Sequence, residues 1–293
     1  MSKVHAIFAA CIAGAMLTTA APALAAQCEA KGGFGAFLGE FKQDAAQQGI
    51  SPRGLAALDG VTPDPQVIAA DHRQGVFKQS FEQFSGRMIS RDRMVKGTRL
   101  MQQHAATIRR IEQRFGVPGG IIVAIWGLET DYGVNQGNLP VIRSVATLAY
   151  DCRRSDKFQA ELVDALRIVD RGDMTPAQMR GDWAGEIGQT QFLPSSYVKY
   201  AVNFDGRGHP DLIHSVPDVL ASTANYFKSH GWQRGQGWQP GQPNFDVIKE
   251  WNKADVYART IALFAEKLEG NAPRAESAPP PQDAQRLVRD TRR

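Results

Sequence analysis

The chain has 293 residues, of which 43% are hydrophobic, 9% aromatic and 22% charged, a balance that excludes fibrous and wholly disordered classes. Lys plus Arg number 34 against 30 Asp plus Glu, a net charge of +4. That excess is scattered, with no basic stripe interleaved with aromatics, so nucleic acid is not an expected partner, whereas an anionic polymer suits it.

In chain order, residues 1–26 read as a signal peptide. Lys3 and His5 precede an apolar stretch from Ile7 to Leu17, and Ala23-Leu24-Ala25 supplies the small-residue cleavage site. The apolar run is shorter than the roughly 20 residues a spanning helix needs. Gln27, not a small residue, precedes Cys28, which argues against a lipid anchor. Export to the periplasm follows, and there the two remaining cysteines, Cys28 and Cys152, are expected to pair.

The body, 27–270, reads as helices joined by loops. Phe34, Phe37, Leu38, Phe41 and Ala45 recur at helical spacing. Met94, Met101, Ile108 and Phe115 fall seven apart with Gly97 and Ile111 on the same side, one core-facing stripe. After Pro118 the run Gly119–Leu128 is apolar on every side and Glu129 closes it, so it predicts a helix buried all round with a carboxyl at its C-terminal end. Desolvation and the helix dipole both raise the pKa of such an acid, as a general acid requires. A structural glutamate paired with Arg143, Arg153 or Arg154 explains the residue equally well. Ser155 is placed to cap a helix through Phe158, Leu162, Leu166 and Val169 that Gly172 closes. Thr175-Pro176 and Ser215 followed by Pro217-Asp218 read as further helix starts. A last amphipathic helix carries Val256, Ile261, Phe264 and Leu268. Residues 271–293, rich in Pro and Arg, read as a disordered tail.

There is no GxSxG, no GxxxxGK[ST] and no HExxH, and the six histidines are dispersed. What remains is a set of linked segments: GLETDYG at 127–133, GNLPVIRSVATLAYDCRRSDKF at 137–158, GEIGQTQFLPSSYVKYAVNFDGRGHPDL at 185–212, and SHGW at 229–232. In order and spacing these closely resemble the lytic murein transglycosylase B family. The resemblance implies a mainly α fold: a lysozyme-like catalytic core of the goose-type lysozyme and transglycosylase kind, with an additional helical lobe. It implies cleavage of the MurNAc-β-1,4-GlcNAc bond of peptidoglycan with formation of 1,6-anhydro-MurNAc ends. Glu129 falls on the family's catalytic glutamate. Gln191 falls on its substrate-binding glutamine, while Trp251, Asn252 and Tyr257 fall where the family has Tyr-Asn and a further tyrosine. The tryptophan lacks the hydroxyl, which puts a hydrogen-bonding role there in doubt. Tyr132, Trp251 and Tyr257 are candidate groove-lining aromatics. Asp182 stands where the family often has serine and Glu186 where it usually has a small residue, two acids the pattern does not call for. Asn203, Asp205 and Asp218 resemble the ligands of a calcium loop found in some relatives, against the alternative of a tight metal-free loop, which Arg207 favours. No cofactor is required by this reading. The expected partner is the peptidoglycan glycan strand, with other cell-wall remodelling proteins possible, and the chain is expected to be a monomer. Rival readings are a hydrolytic muramidase and a non-catalytic peptidoglycan-binding scaffold.

Overall fold

The computed structural model describes residues 26–73 and 79–271. The signal peptide, apart from Ala26, and the tail, apart from Asn271, lie outside the described residues. Helices dominate: α1 (Gly33–Gln47), α2 (Pro52–Leu55) running into a 3-10 turn at Ala56–Leu58, α3 (Pro65–His72), α4 (Phe81–Met88), α5 (Arg91–Gln103), α6 (Ala105–Phe115) and α7 (Gly119–Thr130). Then come β1 (Leu139–Pro140), α8 (Val141–Tyr150), α9 (Ser155–Arg171), β2 (Arg180–Gly181), α10 (Pro194–Tyr200), α11 (Val216–Ser229), α12 (Phe245–Trp251) and α13 (Asp255–Asn271). The strands form a two-residue antiparallel ribbon, Leu139 opposite Gly181 and Pro140 opposite Arg180. Among the described residues no helix is long and apolar enough to cross a membrane.

The apolar run becomes the central element. Every residue of α7 from Gly119 to Leu128 is buried, and α13, α5, α6 and α11 pack around it. Its N-terminal amides, which no helical carbonyl can reach, are met by side chains. Gly119 N donates to Glu112 Oε1 at 2.6 Å, and Gly120 N to Glu269 Oε1 at 2.6 Å. A Cβ on Gly120 would stand 2.8 Å from the Ala265 carbonyl, so glycine is what lets α13 lie against the start of α7. At the other end, Asp131, Tyr132 and Gly133 all have positive φ, at 52°, 62° and 83°. Three consecutive left-handed residues stop the helix and turn the chain sharply. Around this unit the N-terminal helices form an additional layer, α2 against α9 and α3 against α8.

Cys28 and Cys152 form a disulfide, Cα–Cα 5.2 Å across a sequence separation of 124. Glu29 N donates to Tyr150 O at 3.1 Å and Gln159 Nε2 to Ala26 O at 2.8 Å, so the start of the described chain is fastened onto α8 and α9.

Three local expectations change. The stripe from Met94 to Phe115 is carried by two helices, broken at His104 (φ −102°, ψ 15°); the break lets each half pack on α7 separately. Ser155 does not cap α9 but is its first residue, because its hydroxyl donates to Ala149 O at 2.5 Å. Thr175-Pro176 starts no helix. One turn closes there, with Thr175 N and Oγ1 both donating to Gln178 Oε1 at 2.9 Å. The chain then enters β2, where Met179 O accepts Val141 N at 3.0 Å and ribbon pairing ends the turn.

Candidate active site

Glu129 is the penultimate residue of α7, part-buried, and lines a cleft pocket of about 220 Å³. Glu186, Gln191, Phe192, Ser196, Tyr226 and Asn252 are among the residues that share that pocket with it. Glu129 Oε1 accepts two hydrogen bonds, from Trp251 Nε1 at 2.8 Å and from the Tyr257 hydroxyl at 2.8 Å. Oε2 has no hydrogen-bond partner among the described residues and is the oxygen left for a ligand. The guanidinium pairings that would have made Glu129 structural are absent. Arg143 is taken by Asp64 and by the Thr62 and Pro63 carbonyls, and Arg153 and Arg154 by Asp71. Asp131 turns away to Arg93 and Lys96.

The electrostatics follow from this enclosure. Burial pushes the Glu129 pKa above the ordinary carboxylate range; the Trp251 and Tyr257 donors pull it back, and the charge of Asp182 pushes it up again. The result is an acid that holds its proton longer than an exposed glutamate. The Tyr257 hydroxyl is itself held well above its usual range by burial and by Glu129, so it remains a donor. Trp251 is fixed by Phe227, stacked on it at 5.6 Å, and by the edges of Tyr226 and Phe192 at 4.9 and 5.6 Å.

The loop carrying Gln191 is locked to the end of α7. Gln189 Oε1 accepts Trp126 Nε1 at 2.8 Å, the Thr130 hydroxyl donates to Gln189 O at 2.5 Å, and Gln189 Nε2 donates to Ile213 O at 2.9 Å. Gln191 then takes a left-handed conformation (φ 52°). Its Nε2 donates to Gly188 O at 2.8 Å and Gln136 O at 3.2 Å. It therefore does not order the Pro194 turn, where Ser195 is held by Glu161 instead; its amide oxygen remains for the pocket. Asn252 Oδ1 accepts Ala254 N at 3.0 Å, which leaves its NH2 group toward the cleft.

Several candidates are placed otherwise than expected. Tyr132 does not line a groove: it is 6% exposed, its hydroxyl donates to Arg93 O at 2.7 Å, and its ring lies edge-on to Trp126. Gly97 and Gly127 leave the space it fills. Tyr257 is buried too and meets the cleft only through Glu129. Trp251 regains through its indole N–H the hydrogen bond that its missing hydroxyl put in doubt. Asp182 is not among the residues that line the pocket; its Oδ1 accepts the amides of Ala184 at 2.9 Å and Glu186 at 3.1 Å, so it serves its own loop.

The oxygens of the supposed calcium loop are turned inward. Asp218 is fully buried and accepts the amides of Phe204, Asp205 and Asp211 at 2.7, 2.9 and 3.0 Å. Asp205 accepts from Arg207 N and the Ser215 hydroxyl, and Asn203 Oδ1 accepts Gly206 N. All of these oxygens already accept hydrogen bonds from within the loop, and the cationic Arg207 stands where a further acidic ligand is needed, so this set does not fit calcium as arranged. Residues that sequence reasoning missed are Gln189 and Thr130, which hold the two motifs together, and Tyr226, which shapes the pocket and donates to Glu250 O at 2.8 Å. Only the adjacency of Gln189 to Gln191 within one motif hinted at the first.

Residues 33–242 match the family described as the transglycosylase SLT domain. Among characterised proteins, the chain is 37% identical over 198 residues to the membrane-bound lytic murein transglycosylase B of Escherichia coli (strain K12), covering 65% of this chain and 54% of that protein. It thus spans about half the length of that curated relative. Among solved structures, SltB3 from Pseudomonas aeruginosa in complex with NAG-anhNAM-pentapeptide superposes with TM-score 0.76 at 32% identity, over 81% of this chain and 80% of that one. The Escherichia coli lytic transglycosylase Slt35 in complex with bulgecin A gives 0.70 at 26% identity, over 79% and 92%. The mainly α, lysozyme-like architecture is therefore shared with lytic transglycosylases.

Proposed function

This chain belongs to the transglycosylase SLT-domain family, and from that premise we propose that it is a lytic transglycosylase of the periplasm acting on peptidoglycan glycan strands. The observation that carries the reading is Glu129: an enclosed carboxyl, raised in pKa, gripped at Oε1 by two donors and open to the pocket at Oε2. In this reading Glu129 protonates the glycosidic oxygen between MurNAc and GlcNAc. As a carboxylate it then takes the proton of the muramyl O6 hydroxyl, whose oxygen bonds to C1 and closes a 1,6-anhydro ring. Trp251 and Tyr257 stabilise the carboxylate present between the two transfers. The Gln191 amide oxygen and the Asn252 NH2 group are suited to sugar hydroxyl and acetamido groups. An internal nucleophile removes the need for the second carboxylate that ordinary glycosidases use, and no cofactor enters the scheme. The start of the mature chain after residue 26, the 27–270 catalytic domain and the monomeric state belong to the same proposal.

A hydrolytic reading has one specific observation in its favour, the second carboxyl of Glu186 on the same pocket. The chemistry of the products separates the two. Purified sacculi are digested with the mature protein and with Glu129→Gln, and the soluble products are weighed by mass spectrometry. Muropeptides one water lighter, ending in anhydromuramic acid and absent with the variant, are expected. Reducing ends would establish a muramidase. Murein binding without cleavage by either protein would leave a scaffold.

A further inference from the structure

The side of α11 that faces away from the cleft carries a charge cluster the proposed chemistry does not use. Tyr226 lines the pocket, and Lys228, two residues on, stands about 200° around the helix from it. Lys228 Nζ lies 5.8 Å from the centre of the Phe115 ring, at the end of α6. The Arg114 guanidinium lies over the same ring at 5.1 Å and over Phe204 at 5.9 Å. One turn back on α6, Arg110 lies over Phe204 at 5.1 Å. Arg234 completes the group, its Nη2 donating to Gln113 O at 2.8 Å. Arg110, Arg114, Lys228 and Arg234 are all exposed, and none lines the catalytic pocket.

None of the four has an acidic partner among the described residues. The acids nearest along the chain are engaged elsewhere, Glu112 by Gly119 N and Asp205 by Arg207 N and the Ser215 hydroxyl. The rings beneath are fixed: Phe115 is buried, and Phe204 is mounted through its amide on Asp218 Oδ1 at 2.7 Å. A cation resting on such a ring face is held in place and keeps its N–H donors for another acceptor. The dipole of α6 accounts for cations at its last turn, but not for Arg110 in mid-helix or for Lys228 on α11. Resting on the reading of murein as the substrate, we propose that this cluster is a second murein-binding site, which takes peptide-stem carboxylates of a strand other than the one being cleaved. Planar guanidinium groups suit carboxylates, each able to give two parallel hydrogen bonds. Held at the cleft and at this site, the enzyme engages two strands of one network, and the second contact lengthens residence without touching the chemistry.

The test uses the full mature chain as Glu129→Gln, which keeps sacculi intact during binding, with and without Arg110→Ala plus Arg114→Ala. Sacculi are N-acetylated to remove amine charge, and a portion is then amidated to neutralise the carboxylates. Affinity for the anionic sacculi, read by co-sedimentation, should fall by about tenfold on loss of the two arginines. The difference should shrink in high salt. On amidated sacculi the two proteins should bind alike. Arg110→Lys plus Arg114→Lys, which keeps the charge, should restore most of the binding. Lys228→Gln, a single exposed change on a different helix, should weaken binding by about twofold to threefold, so the test does not depend on the double variant folding. Undiminished binding of the alanine and Lys228→Gln variants to anionic sacculi would overturn the proposal, as would an equal loss on amidated sacculi. Full sacculus binding with loss of binding to phosphatidylglycerol vesicles would also overturn it, by making the surface a membrane contact. If no form of the protein binds sacculi at all, the reading of murein as the substrate fails instead, and the two failures are distinct.

Discussion

At the scale of single residues, the proposed catalysis depends on one carboxyl with two unlike oxygens. Oε1 is satisfied by Trp251 and Tyr257 and Oε2 is left to the pocket, so the side chain is oriented without being neutralised. Each donor favours the carboxylate, and losing one should raise the Glu129 pKa. Tyr257→Phe is therefore expected to move the alkaline limb of kcat/KM to higher pH. It should also slow turnover by about tenfold or more, because a hydrogen bond to a charged group is worth roughly 1.5–3 kcal/mol. Trp251→Phe should behave alike, and pH-dependent kinetics on both variants check the pair. Raised carboxyls also bear on stability. Glu129, Asp182, Glu186 and Glu269 all have folded-state pKa values above their ordinary ones, so the folded chain holds protons that the unfolded chain releases. Their contribution is full below the ordinary carboxylate range and is lost as pH rises through the raised values. Glu186→Gln should accordingly raise the urea midpoint at neutral and alkaline pH and leave it nearly unchanged in acid.

At the scale of elements, α7 is the part whose placement decides the site. Its sequence has no amphipathic face, so its stability comes from burial by neighbours rather than from a polar side turned to water. Glu112 and Glu269 close its N-terminus, and Gly120 admits α13, the helix that also carries Tyr257. Gly120→Ala would push Ala265 O and Glu269, and is expected to destabilise the fold by about 1–3 kcal/mol, read from denaturant unfolding, with a drop in activity as α13 shifts. The 203–218 loop is an element of a different kind, a run of backbone amides gathered by one buried carboxylate. Asp218→Ala removes the acceptor of three of them and should lower the melting temperature. Calcium at millimolar concentration should leave the melting temperature of the wild type within about 1 °C, since a ligand that does not bind the native state cannot stabilise it.

At the scale of the whole molecule, the disulfide joins residues 124 apart and closes α1 to α8, Glu129 included, into one loop. In the chain-entropy picture a loop of this length stabilises by about 5 kcal/mol. Reduction, or Cys28→Ser with Cys152→Ser, should lower the thermal midpoint markedly while leaving the product chemistry unchanged, because neither cysteine lines the pocket. The pocket itself is assembled from four distant stretches: the end of α7, the 186–196 segment running into α10, α11, and the end of α12 with Asn252. No pair of them is adjacent in sequence, so the site exists only once the core has formed.

Much of this was legible in the chain as written. Apolar periodicity marked α1, α9 and α13, the all-apolar run announced α7 with its acid, and the pair of cysteines left after the expected signal peptide announced their bridge, because helical repeat and burial leave their mark in local composition. Resemblance located Glu129, Gln191, Asn252 and Tyr257. Tertiary structure alone decided that Tyr132 fills the core, that the Trp251 indole N–H donates to Glu129, that His104 divides one stripe into two helices, and that the Asp218 loop spends its oxygens on amides. It alone set Glu186 on the pocket of Glu129. Those outcomes depend on which distant atoms come within about 3 Å of one another, and periodicity along a chain carries no record of that.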